Sequence, residues 1–193
     1  MLYLRLWRHW DGVVGMELID ALLDLCKDVS QPIIAIDGPA GAGKTTLAHD
    51  ISLALAQRYS INEIHMDDLY DGWDDALTPQ LSEVLQHVVK SHKSSAPISL
   101  STYDWHLGAF SPATKLEKSE LLILEGVGCG QMAIRDSLTA LIWIDIEDSQ
   151  GLARVLQRDG KEIEKQMRKW LGTQEQHFQS EGTKNAADFV LTT

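Results

Sequence analysis

Cysteine is scarce in this chain: Cys26 and Cys129 stand alone, in no metal-ligand or redox spacing. That excludes a disulfide framework and suits a reducing compartment such as the cytoplasm. Long apolar runs are missing too. Nothing approaches the roughly 20 residues needed to cross a bilayer, so no membrane partner is expected. The apolar, aromatic stretch from Leu2 to Trp10 is broken by Arg5 and Arg8 and followed by Asp11. It lacks the unbroken core and small-residue cleavage site of a signal peptide. Positive charge is also in short supply, with 17 Lys and Arg against 28 Asp and Glu and a net charge of −11. Such a chain is poorly suited to wrapping DNA or RNA, where basic side chains on phosphates supply most of the affinity. Any anionic ligand must meet a local positive site set in a negative surface. The seven histidines show no metal-ligand spacing. His49 and His65 read as structural, and His87 to His92 as a solvated helix end.

What is present is an ordinary globular composition, 44% hydrophobic and 23% charged over 193 residues. That is enough for one α/β domain and a small lid. No repeat or low-complexity tract interrupts it. Periodicity predicts helices over Glu17–Lys27, Lys44–Tyr59, Pro79–Ser91 (Thr78 as N-cap) and Glu162–Phe178. Short apolar runs predict strands at Pro32–Ile36, Ile61–Met66, Ile98–Thr102, Leu121–Leu124, Leu141–Ile146 and Asp188–Leu191. Strands apolar on both faces, alternating with helices, imply a three-layer α/β/α fold around a parallel sheet. Residues 1–30 read as an N-terminal extension and helix, and residues 31–193 as the main domain. Residues 1–15 are an extension, a misassigned start, or a surface flap packed by Trp7 and Trp10.

One motif is specific. Gly38-Pro39-Ala40-Gly41-Ala42-Gly43-Lys44-Thr45 matches the phosphate-binding P-loop in full, between an apolar run and an amphipathic helix. Glycines let the backbone curl so that successive N–H groups face phosphate oxygens. Lys44 supplies a charge for the β- and γ-phosphates, and the Thr45 hydroxyl a ligand for Mg²⁺, with Thr46 beside it. The helix that starts near Lys44 turns its positive end to the same point. ATP with Mg²⁺ is the expected cofactor.

Phosphoryl transfer needs positioning, a metal, charge neutralisation and, where it helps, a base for the acceptor hydroxyl. Asp67 and Asp68 follow the second predicted strand, where a carboxylate could accept that proton. Glu125 and Asp145 each end an apolar strand, and the residues alone do not choose between them as the acid that acts on Mg²⁺ through water. Asp37 reads as a turn residue. Tyr70, Trp73, Tyr103 and Trp105 all follow strand ends and could wall an acceptor pocket or pack the domain edge. Trp143 and Trp170 lie within regular elements and read as core or helix-face residues.

In this order the pieces resemble the uridine kinase family and its phosphoribulokinase relatives, from about Pro32 to Leu191. The resemblance rests on Ile36-Asp37-Gly38 entering the P-loop, Asp67-Asp68-Leu69-Tyr70, Tyr103-Asp104-Trp105 and Leu124-Glu125-Gly126. It continues through Arg135-Asp136, Asp145, Arg154 with Arg158-Asp159, and Ala187-Asp188-Phe189-Val190. It implies a five-stranded parallel core, a mobile lid over about 154–162, and Asp67 as catalytic base. It implies Arg154 and Arg158 as lid residues on the nucleotide, Tyr103 in the acceptor pocket, and Glu125 as the water-mediated metal acid. Tyr70, Trp105 and Glu125 join Asp67 on the acceptor side.

The chain departs from that pattern in places. Val155 stands where the lid has a second arginine, and Gly160-Lys161-Glu162 leads straight into the next helix. Only eight residues separate Tyr70 from Pro79, where nucleoside kinases carry a longer, ribose-holding segment. His106 is offset from the family's base-contacting histidine. The expected function is a kinase of a small-molecule alcohol, with a nucleoside such as uridine leading and a sugar or other metabolite alcohol as the rival. A non-kinase NTPase and a nucleotide-binding protein without catalysis stay open. A GTPase lacks support: no Asn-Lys-x-Asp occurs, and Asp148 to Gly151 follows the wrong strand for a switch. Oligomeric state, self-association included, is left open.

Overall fold

The structure, a computed structural model, describes residues 7–9 (backbone) and 15–193. The packing suggested for Trp7 and Trp10 lies outside the described residues. In chain order the elements are β1 (Trp7–His9), α1 (Met16–Cys26), β2 (Ile33–Asp37), α2 (Lys44–Leu55), β3 (Ile61–His65), α3 (Pro79–Lys93), β4 (Ile98–Leu100), β5 (Tyr103–Asp104) and β6 (Ala109–Phe110). Then come β7 (Thr114–Leu116), β8 (Leu121–Glu125), α4 (Met132–Arg135), β9 (Ala140–Asp145), α5 (Asp148–Asp159), α6 (Glu164–Glu181), α7 (Thr183–Ala186) and β10 (Phe189–Thr192).

The sheet runs β1-β10-β9-β2-β8-β3, every pair parallel. Five of these strands form the expected core, and Trp7–His9 adds a sixth at the edge beside β10. Period-2 alternation divides the core into two layers. Ile34, Ile36, Ile123, Ile142 and Ile144 turn to α1 and α2, meeting Leu22, Leu47, Ile51 and Leu55. Ile33, Ala35, Leu122, Leu124 and Trp143 turn to α3, α5 and α6, meeting Leu85, Val155, Trp170 and Phe178. Both faces of the central strands are therefore covered, which is why their sequences are apolar without alternation.

Ile98–Thr102 corrects one expectation. Only Ile98–Leu100 is a strand, and it pairs antiparallel with β7 outside the main sheet. Its alternating buried-exposed-buried pattern fits a small ribbon with one solvated face. β5 and β6 form a second ribbon, Tyr103 opposite Phe110. The helix expected over Glu162–Phe178 is α6, displaced to Glu164–Glu181 behind a single 3₁₀ turn at Lys161–Ile163. Residues 154–162, expected to form a lid, take in the last half of α5 and the start of that 3₁₀ turn. His92 is no solvated helix end: it is buried, with Nε2 3.1 Å from the Pro32 carbonyl.

Candidate active site

The P-loop joins the carboxyl end of central β2 to α2. Its shape depends on a backbone-to-backbone contact. Gly41 has φ +78°, and a Cβ there would lie 2.3 Å from the Gly151 carbonyl oxygen. A Cβ on Gly151 would in turn lie 2.6 Å from the Ala40 carbonyl oxygen. The first turn of α5 thus presses on the loop at a point where neither chain has room for a side chain. This is where the Asp148-to-Gly151 match serves: as a helix start packed on the P-loop.

Other groups brace the loop from below. Asp37 is fully buried and accepts N–H bonds from Gly38 (2.8 Å), Gly128 (3.1 Å) and Gly130 (2.8 Å). Burial pushes its carboxyl up, while those N–H groups and Lys44 oppose the shift. The Ala40 N–H is taken by Gln174 Oε1 of α6 at 3.1 Å. Lys44 is buried and donates to the Pro39 carbonyl at 2.8 Å. Thr45 and Thr46 lie on the exposed side of the first turn of α2. Gly38, Pro39, Ala40, Gly41, Ala42 and Gly43 are the loop that joins β2 to that turn.

Of the two strand-end acids, only Glu125 meets the P-loop. Its Oε1 accepts from Thr45 Oγ1 at 3.1 Å. Asp145 is held elsewhere, by Lys184 Nζ (2.8 Å) and the Trp143 indole N–H (3.1 Å). The same Glu125 oxygen lies 2.6 Å from His65 Nδ1. The carboxylate raises the His65 pKa, against a smaller lowering by burial. Gly126, at φ +129°, lets β8 end tightly against β3: a Cβ there would meet Met66 Cβ at 2.6 Å.

Asp67 stands in the 3₁₀ turn Met66–Asp68 that caps β3. The residue is exposed, with protein atoms crowded on one side of it. That crowding raises its pKa; Lys44 and Arg158 pull it down, and Glu125 and Asp68 push it further up. Asp67, Lys44, Glu125 and Arg158 therefore share one electrostatic neighbourhood. Arg158 closes on Asp159 with two bonds of 2.6 Å. Arg154 reaches the outer lip of the P-loop, with Nη1 3.4 Å from the Gly41 carbonyl and 3.2 Å from Thr193 Oγ1.

Beside Asp67 runs a chain of aromatic rings. Trp105 donates its indole N–H to the Asp67 carbonyl at 3.0 Å. Its ring centroid is 5.1 Å from Tyr103 and 5.5 Å from Trp73, both edge-on. Trp73 continues to Trp170 (6.3 Å), and Trp170 to Tyr70 (5.3 Å). Trp73 and Trp105 are exposed. Tyr70 is not part of the open face. It is buried, with its hydroxyl donating to the Val127 carbonyl at 2.8 Å, so it supports the wall from beneath. Trp170, read as a core or helix-face residue, is buried and links that support to α6.

Sequence reading missed His65 as a site residue, along with Gln174 and Lys169, which pairs with Asp74 at 2.5 Å. His65 and Glu125 are register partners on β3 and β8. The adjacency follows from strand order, which no local pattern carries.

A parallel sheet with a complete P-loop at its central strand, facing strand-end acids and an arginine-bearing helix, is the architecture of a P-loop kinase. The family model described as the Phosphoribulokinase / Uridine kinase family matches residues 33–180, and the chain belongs to that family. It is thus a phosphotransferase that uses a nucleotide and a small-molecule acceptor bearing an alcohol group. The chain is 27% identical over 190 residues to a uridine kinase of Lactobacillus johnsonii, covering 82% of this chain and 85% of that one. A uridine kinase of Lactobacillus helveticus is 28% identical over 187 residues, with the same coverage of 82% and 85%. A solved structure described as a possible uridine kinase from Bacillus stearothermophilus superposes with a TM-score of 0.63 at 23% identity, over 91% of this chain and 100% of that one. Among the described residues no helix is long and apolar enough to cross a membrane.

Proposed function

We propose that the protein transfers the γ-phosphoryl group of ATP to a hydroxyl of a small uncharged alcohol, foremost a nucleoside such as uridine. The observation that carries this reading is the Trp105–Asp67 hydrogen bond, which fixes an exposed aromatic wall beside a carboxylate within the electrostatic reach of Lys44. A flat base can lie against such a wall while its sugar hydroxyl meets Asp67. The charge pattern supports an uncharged acceptor. Residues 67–78 and 100–111 contain Asp67, Asp68, Asp71, Asp74, Asp75 and Asp104 and no Lys or Arg. Lys169, which reaches this side from α6, is paired with Asp74. A phosphorylated or carboxylated acceptor would find acids and no free cation on these segments. The two relatives named uridine kinases point the same way.

The P-loop amides and Lys44 hold the phosphates, Lys44 exchanging the Pro39 carbonyl for a phosphate oxygen. The Thr45 hydroxyl and the Glu125 carboxylate are hard oxygen donors, 3.1 Å apart, that fit Mg²⁺. Among the described residues no cluster of three or more His, Cys, Asp or Glu offers an all-protein metal cage. That suits an ion held mainly by phosphates and water. Mg²⁺ would neutralise charge between the β- and γ-phosphates. Asp67 takes the proton of the acceptor hydroxyl at its carboxylate. Arg158 turns from Asp159 to the γ-phosphoryl oxygens as the α5 lid closes, and Arg154 guards the loop's outer lip. Tyr103 and Trp105 orient the acceptor. The two buried free thiols support a cytoplasmic setting.

A second reading, a sugar or other alcohol as acceptor, draws on the eight residues between Tyr70 and Pro79, too few for a long ribose-holding segment. ADP release measured over a panel of nucleosides, free sugars and phosphorylated sugars tests both. Turnover with uridine or cytidine is expected. Turnover with free sugars alone would replace the first reading with the second. Steady ADP release without any acceptor would remove both in favour of an NTPase.

A further inference from the structure

Glu125 Oε1 sits between two donors. Thr45 Oγ1 lies 3.1 Å away on one side and His65 Nδ1 2.6 Å away on the other. His65 and Glu125 face one another in register at the ends of adjacent parallel strands. The Glu125 side chain is 7% exposed and that of His65 38%. Since the partner is a carboxylate, Nδ1 carries the proton and donates it.

A glutamate at the end of a strand has three side-chain torsions and would sample several rotamers if nothing held it. The threonine hydroxyl is a poor anchor, because it rotates and is itself a metal-facing group. An imidazole on the neighbouring strand is rigid beyond two torsions, and its backbone is fixed by the ladder. We infer that His65 is a positioning residue: its Nδ1–H pins Glu125 Oε1 and so keeps the carboxylate turned to Thr45, where metal-bound nucleotide is received. The inference rests on the proposed roles of Thr45 and Glu125. Its logic is that of outer contacts to metal-facing groups generally, whose loss weakens metal affinity about 10- to 100-fold.

The test uses three substitutions. Asn places an amide N–H where Nδ1 stands, Gln places one where Nε2 stands, and Leu offers neither. Mn²⁺ binding to the full-length protein with ATP and no acceptor is followed through the spectroscopic signal of free Mn²⁺, so that turnover plays no part. ATP binding in the presence of a chelator serves as the metal-free reference.

His65→Leu and His65→Gln are expected to weaken Mn²⁺ binding about tenfold. Metal-free ATP binding should stay unchanged, and His65→Asn should recover most of the loss. If His65→Leu folds poorly, the Asn and Gln pair, both polar, still separates the two ring positions. The inference is overturned if the Gln variant matches wild type, or if the Asn variant is as weak as Gln. Glu125→Gln distinguishes the layers. Weakened Mn²⁺ binding there with none in the His65 variants removes only the role of His65. Undiminished binding in Glu125→Gln removes the Thr45–Glu125 reading, and this inference with it.

Discussion

Arg158 closes both arms of its guanidinium on the carboxylate of its own neighbour, Asp159, at 2.6 Å each. The pair raises the Arg158 pKa, with Asp67 and Glu125 adding more distant attraction. In the role proposed for it, Arg158 must release this partner to reach a phosphate. Both residues are partly exposed, at 66% and 35%, so their bond is worth at most about 1 kcal/mol. Asp159→Asn should therefore lower the KM for ATP by no more than about fivefold and leave kcat near its wild-type value. Arg158→Ala should lower kcat by about 10²- to 10³-fold, the usual cost of losing a donor that meets transition-state charge. Initial rates over an ATP series decide both. An unchanged kcat in Arg158→Ala would remove the arginine from the chemistry.

Trp105 and Tyr70 make a contrasting pair. Trp105 is exposed and bonded to the Asp67 carbonyl, while Tyr70 is buried and bonded to the Val127 carbonyl. Trp105→Ala should raise the acceptor KM about tenfold through lost ring contact, with the KM for ATP within about twofold. Parallel kinetic series in the two substrates read this directly. Equal rises in both would show that the ring holds the whole cleft rather than the acceptor.

Tyr70→Phe should behave in the opposite way. It leaves a buried carbonyl without its donor, costing about 1 to 2 kcal/mol of stability. The acceptor KM should hardly move. Denaturant midpoints and acceptor kinetics on one preparation separate the two effects. A large KM change at unchanged stability would return Tyr70 to the acceptor pocket.

These contrasts mark where the sequence is legible. The P-loop is contiguous, and its chemistry needs only residues 38–45, so it reads off the chain directly. The doubly apolar runs at Ile33 and Leu121 announce a covered parallel sheet because nothing else tolerates apolar residues on both faces of a strand. The positions of Asp67 and Glu125, just past β3 and at the end of β8, are foreseeable because strand ends gather at one edge of such a sheet. The rest depends on distances that no local pattern encodes. His65 meets Glu125 across 60 residues, and Gln174 meets Ala40 across 134. Tyr70 carries a hydroxyl that suits either a pocket or a satisfied core, and only the Val127 carbonyl decides between them. Ile98–Leu100 has the composition of a sheet strand, but its middle residue, Ser99, faces solvent, and the segment leaves the sheet for a ribbon.

Asp67 carries the most demanding prediction, because one shift governs both rate and stability. Crowding by protein raises its pKa above 3.8, with Lys44 and Arg158 opposing and Glu125 and Asp68 reinforcing. A base works when ionised, so kcat/KM should rise with pH through a limb that lies above 3.8. Arg158→Ala, which removes an opposing cation, should move that limb to still higher pH. For stability the sign runs the other way. A carboxyl whose folded pKa is raised favours the fold when protonated; that contribution is present below the unfolded value and lost as pH rises through the folded one. Asp67→Asn cannot ionise and escapes the loss. At pH 7 it should be at least as stable as wild type, the gap closing as the pH falls below the usual carboxylate range. Its kcat should drop by about 10²- to 10⁴-fold while ATP still binds. Thermal midpoints across pH, set beside rates on the same variants, test the pairing. A variant that is inactive and also less stable at pH 7 would mean that Asp67 holds the cleft together rather than taking a proton in it.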